Sequence, residues 1–224
     1  MDKEKNYQEL KDFSLKQGID LFGVASIEEV KQNFYLSKGL LKDFDKAICI
    51  GARLSGAILG EISEKPTRLY YYHYKMVNML LDQLALKLSR HIEDRGFLAV
   101  PIPSTQVLDW EKQTAHLSHR RLGYLAGLGW IGRNNLLVNK KLGSQFRLVT
   151  VLTNMPLQED KPVRDKCGSC RICVLNCPAK AIKESAAEFD SKKCYEKLRE
   201  FQKQRQIDQY VCGVCVNICK GKKE

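Results

Sequence analysis

Cys167-Gly168-Ser169-Cys170-Arg171-Ile172-Cys173-Val174-Leu175-Asn176-Cys177-Pro178 decides how the C-terminal third of this chain is built. The spacing C-x2-C-x2-C-x3-C-P is the run that wraps an iron–sulfur cubane. Three thiolates two residues apart let one tight loop take three corners of a cluster. The fourth cysteine leaves the loop pointing away and ligates a second cluster, so a second set is required. It is present as Cys194 and Cys212-x2-Cys215-x3-Cys219. By this crossing rule Cys167, Cys170, Cys173 and Cys219 hold one [4Fe–4S] cluster, and Cys177, Cys194, Cys212 and Cys215 hold the other. Cys194 stands 18 positions before Cys212. The charged, helix-like stretch between them is therefore an insertion. Structural zinc sites pair CxxC knuckles; the strict triplet followed by x3-Cys-Pro specifies iron–sulfur instead.

Outward from the cysteines, the chain of 224 residues is long enough for one ordinary domain plus this module. Eight of its nine cysteines lie between Cys167 and Cys219. In a reducing compartment such clustering points to metal and not to disulfides. The N-terminus is charged and has no apolar signal core, and no apolar run approaches membrane-helix length, so a cytoplasmic location without membrane contact is expected. The formal charge is +11. Each oxidised cluster with four thiolates contributes −2, which leaves about +7. A basic protein of this kind favours an acidic partner, whether a nucleic acid or a protein surface.

Before residue 160 the pattern is α/β. A helix is expected over residues 3–18, with Tyr7, Leu10, Phe13 and Leu15 inward and Gly18 as its stop. Strands are expected over residues 20–25, 46–51, 97–102 and 146–153. A long helix over 67–95 carries Val77, Leu80, Leu81, Leu84, Leu88 and Ile92 at helical spacing. Another is expected over 115–126. Cys49 lies in an apolar strand and reads as a small hydrophobe. The aromatic run Tyr70-Tyr71-Tyr72-His73-Tyr74 reads as core packing or as one wall of a flat-cofactor pocket. Residues 158–166 read as a linker, which divides the chain into an α/β domain at 1–160 and a double-cluster module at 161–224.

Residues 112–158 contain no Asp or Glu but carry Lys112, Arg120, Arg121, Arg133, Lys140, Lys141, Arg147, His116 and His119. Such a region suits phosphates or an anionic cofactor. Within it, Gly127-Leu128-Gly129-Trp130-Ile131-Gly132 is formally GxGxxG. It follows a helix-like stretch, and no acid follows at the ribose position, so it is not a dinucleotide site. Its glycines mark a close approach to something large and flat, or to another backbone. His116 and His119 are candidate proton donors.

Ala126-Gly127-Leu128-Gly129-Trp130-Ile131-Gly132-Arg133-Asn134, then Gly143-Ser144, then Leu148-Val149-Thr150-Val151-Leu152-Thr153 and the two cysteine sets, resemble the epoxyqueuosine reductases. The resemblance spans most of residues 20–220. It implies a nitroreductase-like α/β domain binding cobalamin, followed by a ferredoxin-like double [4Fe–4S] module that feeds electrons to cobalt. It also implies tRNA as substrate carrier and a ferredoxin- or flavodoxin-type electron donor. On this resemblance Gly127, Gly129, Trp130, Gly132, Arg133 and Asn134 are candidate cofactor-binding residues. The family's upstream Asp is matched here by Gln113-Thr114-Ala115-His116-Leu117-Ser118-His119-Arg120, so His119, or else His116, takes the proton-donor role. Many family members continue into a helical segment beyond the cysteines, whereas this sequence stops soon after them. A second class of function fits the same cysteines: a dicluster electron carrier that docks on a partner and has no chemistry of its own. A third is a tRNA-binding protein whose clusters are structural.

Overall fold

The computed structural model describes residues 2–204 and 207–222. In chain order the elements are α1 (Lys3–Lys16), β1 (Leu21–Ser26), α2 (Lys38–Leu41), β2 (Lys46–Arg53), α3 (Gly56–Gly60), α4 (Arg68–Glu93), β3 (Ala99–Ile102), α5 (His119–Leu125), β4 (Trp130–Ile131), β5 (Leu137–Val138), β6 (Phe146–Thr153), α6 (Ile172–Leu175), α7 (Ser191–Lys203) and α8 (Val214–Ile218). The fold is mixed α/β with a cysteine-rich C-terminal module.

By compactness the chain groups differently from a single division at residue 160. One unit is Met1–Ala52, Asn78–Leu128 and Arg147–Val163; the other is Arg53–Val77, Gly129–Phe146 and Arg164–Glu224. Two segments that precede the cysteines in sequence thus belong with them in space.

The first unit is built on a four-stranded sheet in the order β1-β2-β6-β3. β1 pairs β2 antiparallel, with Val24 opposite Ile48, and β3 pairs β6 antiparallel, with Val100 opposite Leu152. Apolar residues from both faces of β2 and β6 fill its core, as expected of strands covered on two sides. Cys49 is buried there, and burial pushes its thiol up to about 12, so it stays protonated as a packing group.

Helix α1 begins at Asp2, whose carboxylate accepts from the Glu4 and Lys5 N–H groups at 3.1 Å. It turns Leu10 and Ser14 inward, while Leu15 is 42% exposed. The i, i+4 pair defines the buried stripe, so Leu15 lies off the face it was expected to join. The same correction applies in α4. Leu81, Leu84, Leu88 and Ile92 are buried, whereas Leu80 is 40% exposed. A 3-4-4 spacing keeps one face, and Leu80 lies a hundred degrees away from Leu81 on it. The supposed linker is tied down: the Asp160 carboxylate accepts from the Tyr7 hydroxyl at 3.1 Å and the Val24 N–H at 2.9 Å.

The second unit holds the β4–β5 hairpin, in which Trp130 faces Val138 and Ile131 faces Leu137. It also holds the short helices α6 and α8 and the longer α7. Asp190 caps α7, accepting from the Lys193 N–H at 2.9 Å. The insertion between Cys194 and Cys212 is therefore helical over most of its described length.

Candidate iron–sulfur centre

The eight thiols of the second unit fall into two mutual neighbourhoods. Cys173 has Cys219, Cys167 and Cys170 as its electrostatic neighbours. Cys194 has Cys212 and Cys177, and Cys215 has Cys212, Cys194 and Cys177 before it meets Cys173. One cysteine of each sequence set thus stands among those of the other. Burial raises Cys173, Cys194 and Cys212 to about 11 each and pushes Cys215 well above the usual thiol range, with the neighbouring thiols adding to the rise. Thiols packed together this way stay protonated until a cation replaces their protons. Among the described residues no three ligating side chains close on a single metal ion. A cubane is larger than an ion, and its thiolates bind separate iron corners. The donor set fits two clusters in chemistry and in number.

Each neighbourhood is held by other parts of the unit. Gly213, at φ 84°, starts α8 with no room for a Cβ, which would lie 2.5 Å from the Tyr70 ring. Tyr70 and Tyr71 are buried and Tyr72 is exposed, so the first two residues of the aromatic run pack inward within this unit. His73 Nε2 accepts from the Ser55 N–H at 2.8 Å, and burial lowers its pKa, so the ring is a neutral acceptor. Asn217 donates to the Ile62 carbonyl at 2.9 Å. These partners come from segments far from the cysteines in sequence, and local pattern could not have named them.

The glycine motif meets this module. The Trp130 indole N–H donates to the Cys167 sulfur at 3.5 Å, and Lys222 lies 5.6 Å from the centre of its ring. The Arg133 guanidinium donates to the Cys170 carbonyl at 2.8 Å and the Gly168 carbonyl at 2.9 Å. A Cβ at Gly129 would lie 2.1 Å from the Val138 carbonyl oxygen. At Gly132 one would lie 2.6 Å from Val138 Cγ2 and 3.5 Å from the Cys167 sulfur. Gly127, in the first unit, approaches the Lys161 carbonyl in the same way. Asn134 is buried, donating to Ser144 Oγ at 3.2 Å and accepting from the Leu136 N–H. The close approach read from the glycines is therefore to backbone at Gly127 and Gly129 and to side chains at Gly132. These six residues make contacts within the chain.

The two histidines differ. His119 Nε2 lies 2.8 Å from the Pro103 carbonyl and 2.9 Å from the Gln106 amide nitrogen, and Nδ1 lies 2.8 Å from the Thr150 hydroxyl. Desolvation, with Arg147 nearby, lowers its pKa to about 4, although the Pro103 carbonyl acts the other way. His116 Nδ1 donates to the Tyr35 carbonyl at 3.2 Å, and Nε2 has no hydrogen-bond partner among the described residues. The basic window is likewise partly spent: Arg147 binds Asn78 and Ser104, and Arg133 binds the cysteine loop.

Comparison with known proteins agrees with this geometry. Residues 166–222 match the family described as a 4Fe-4S double cluster binding domain. The epoxyqueuosine reductase of Leadbetterella byssophila is 32% identical over 161 residues, covering 66% of this chain and 47% of its own length. That of Cyclobacterium marinum is 28% identical over 252 residues, covering 96% of this chain and 79% of its own. The chain thus spans about half the length of the first relative. Among solved structures, a reductive dehalogenase described for B12-dependent dehalogenation matches with a TM-score of 0.79 at 19% identity, over 97% of this chain and 32% of its own. An epoxyqueuosine reductase with a tRNA-Tyr stem loop matches with a TM-score of 0.65 at 19% identity, over 96% and 66%. In sequence the chain is similar to the epoxyqueuosine reductases, and it shares the fold of both structures.

Proposed function

We propose that this relative of the epoxyqueuosine reductases is an iron–sulfur oxidoreductase that passes single electrons through two [4Fe–4S] clusters to a bound cobalamin, with a modified nucleoside in tRNA as its substrate class. The observation that carries the reading is the pair of four-thiol neighbourhoods, each completed by a cysteine of the other set. Cys167, Cys170, Cys173 and Cys219 would hold one cluster; Cys177, Cys194, Cys212 and Cys215 would hold the other. In this reading residues 1–160 serve cobalamin and substrate, and 161–224 serve electron transfer. When bound, the clusters supply one-electron carriers and cobalamin supplies a reduced cobalt able to attack an electrophilic carbon.

The chain's own residues have definable parts. The Trp130 N–H at Cys167 and the Ala181 N–H at Cys177, 3.4 Å from its sulfur, place donors where negative charge grows on reduction. Arg133 fixes the loop between Gly168 and Cys170. Of the two histidines, His116 is the better candidate to give a proton, because both ring nitrogens of His119 are engaged. A net charge of about +7 with clusters bound favours the polyanionic substrate carrier.

A second reading is favoured by the internal engagement of the glycine-motif residues: a dicluster carrier without its own catalysis. One preparation separates the two. Anaerobic protein reconstituted with iron and sulfide should hold about eight irons per chain and should shift the absorbance of added cobalamin. Iron near four, or zinc in its place, refutes the cluster assignment. A full iron complement with no corrinoid binding at roughly tens of micromolar leaves the carrier.

A further inference from the structure

We propose that a groove beside Cys177 is the docking site for the electron donor, and that this donor is a small acidic protein carrying one electron at a time. The inference rests on the cluster reading above and adds the place and chemistry of the partner. The groove encloses about 500 Å³, and Leu175, Cys177, Pro178, Lys65, Lys180 and Lys197 line it.

Three features of the groove belong together. First, a cluster-ligating thiol lies in its wall, so a docked donor comes within a short path of iron. Secondly, Leu175 is 78% exposed beside that thiol, and Ile172 on the same short helix is 43% exposed. A lone exposed leucine means little. Next to a redox ligand it supplies the apolar centre that small, transient redox interfaces use inside a polar rim. Thirdly, the rim is cationic. Three lysines line the groove against one carboxylate, Glu64. Lys197 shares its charge with Glu200 at 2.5 Å, while Lys65 and Lys180 have no ion pair among the described residues. Lys180 is also held in place: its N–H donates to the Cys177 carbonyl at 2.9 Å, closing a turn in which Lys180 takes φ 52°. Lysine seldom adopts that conformation. The turn therefore sets where the Lys180 side chain leaves the backbone, three residues from the ligand.

Unpaired cations around a redox centre steer an acidic partner and set its orientation. Each encounter moves one electron from the donor to the thiolate-held iron at Cys177. The donor is oxidised by one, the iron–sulfur core falls from 2+ to 1+, no bond forms or breaks, and no proton moves.

The test uses the full chain, reconstituted without oxygen and with its iron counted first. An acidic [2Fe–2S] ferredoxin, reduced beforehand, is mixed with it in a stopped-flow spectrometer. For the variant Lys65→Glu/Lys180→Glu the second-order rate should fall at least tenfold at low ionic strength, and the difference should shrink as salt is added. Leu175→Ser should slow the reaction several-fold at all salt concentrations. Bleaching by excess dithionite verifies that each protein carries reducible clusters. A ferredoxin rate within twofold of the parent's, or no lower than that of Lys38→Glu in the first unit, overturns the docking site. So does a loss that appears only in binding of an RNA stem loop. A parent protein without iron overturns the cluster reading and the docking site together, and the iron count separates that outcome from the others.

Discussion

The cysteine neighbourhoods and the His119 site hold the same kind of group, a titratable donor in a partly desolvated place, yet they are opposite in kind. His119 is saturated: a carbonyl and an amide stand at one ring nitrogen and a hydroxyl at the other, and no ligand is called for. The thiols have mainly one another. Cys215 faces Cys212, Cys194 and Cys177, all of which would carry the same charge once ionised. Four acids crowded together, with only Lys197 among the described residues acting on Cys212 as a counter-charge, are unfinished, whereas a polar side chain with every position filled is structural. Saturation of partners, more than burial, separates a ligand from a scaffold residue.

The comparison breaks most readily at Cys215. Cys215→Ser should lose the second cluster, so that iron falls from about eight to about four per chain. Cys170→Ser, at the exposed corner of the first set, should keep more iron because water can reach that corner. Equal losses in the two variants, by iron analysis, would erase the difference drawn between the sites. Next comes the clamp. Arg133→Ala removes two charge-assisted hydrogen bonds to the cysteine loop and should destabilise the second unit by about 3 kcal/mol. The first cluster should be lost faster to a chelator, and Arg133→Lys should rescue little because the fork is gone.

His119 sharpens the other side of the contrast. Its folded pKa, about 4, lies below the unfolded value of 6.5. Between those values the unfolded chain binds a proton that the folded chain refuses. Stability is thus full above pH 6.5 and falls as pH drops toward 4. The loss between pH 7 and 5 should be about 2 kcal/mol, measured by urea unfolding, and His119→Gln should flatten it. The smallest effect is at Trp130. Trp130→Phe deletes the N–H at Cys167 and should lower the potential of the first cluster by about 40 mV, taking ~1 kcal/mol for the bond and 59 mV per tenfold for one electron. Redox titration followed by electron paramagnetic resonance reads it directly. An unchanged potential would mean that Trp130 only packs.

Much of this was visible in the residue order. The eight ligand candidates follow from spacing because a tight loop around a cubane admits few spacings. The boundaries of β6 and the stop of α4 at Gly96 follow because strand length and a left-handed glycine are local matters. Leu80 and Leu15 were misread because a helix a few turns long offers two neighbouring stripes, and only packing chooses between them. The glycine motif was read as a close approach, but nothing in its own pattern says that the nearby group is the β5 backbone and the Cys167 loop.

The sequence by itself determined which atoms can bind iron, since ligand chemistry and loop reach depend on residue type and separation along the chain. Only the tertiary structure decided what stands behind those atoms: Tyr70 under Gly213, Trp130 and Arg133 on the first loop, and a lysine rim beside Cys177. Tyr70 and Lys65 come from Arg53–Val77, and Trp130 and Arg133 from Gly129–Phe146. Contacts between segments so distant are selected by the packing of the whole unit, which no local pattern encodes.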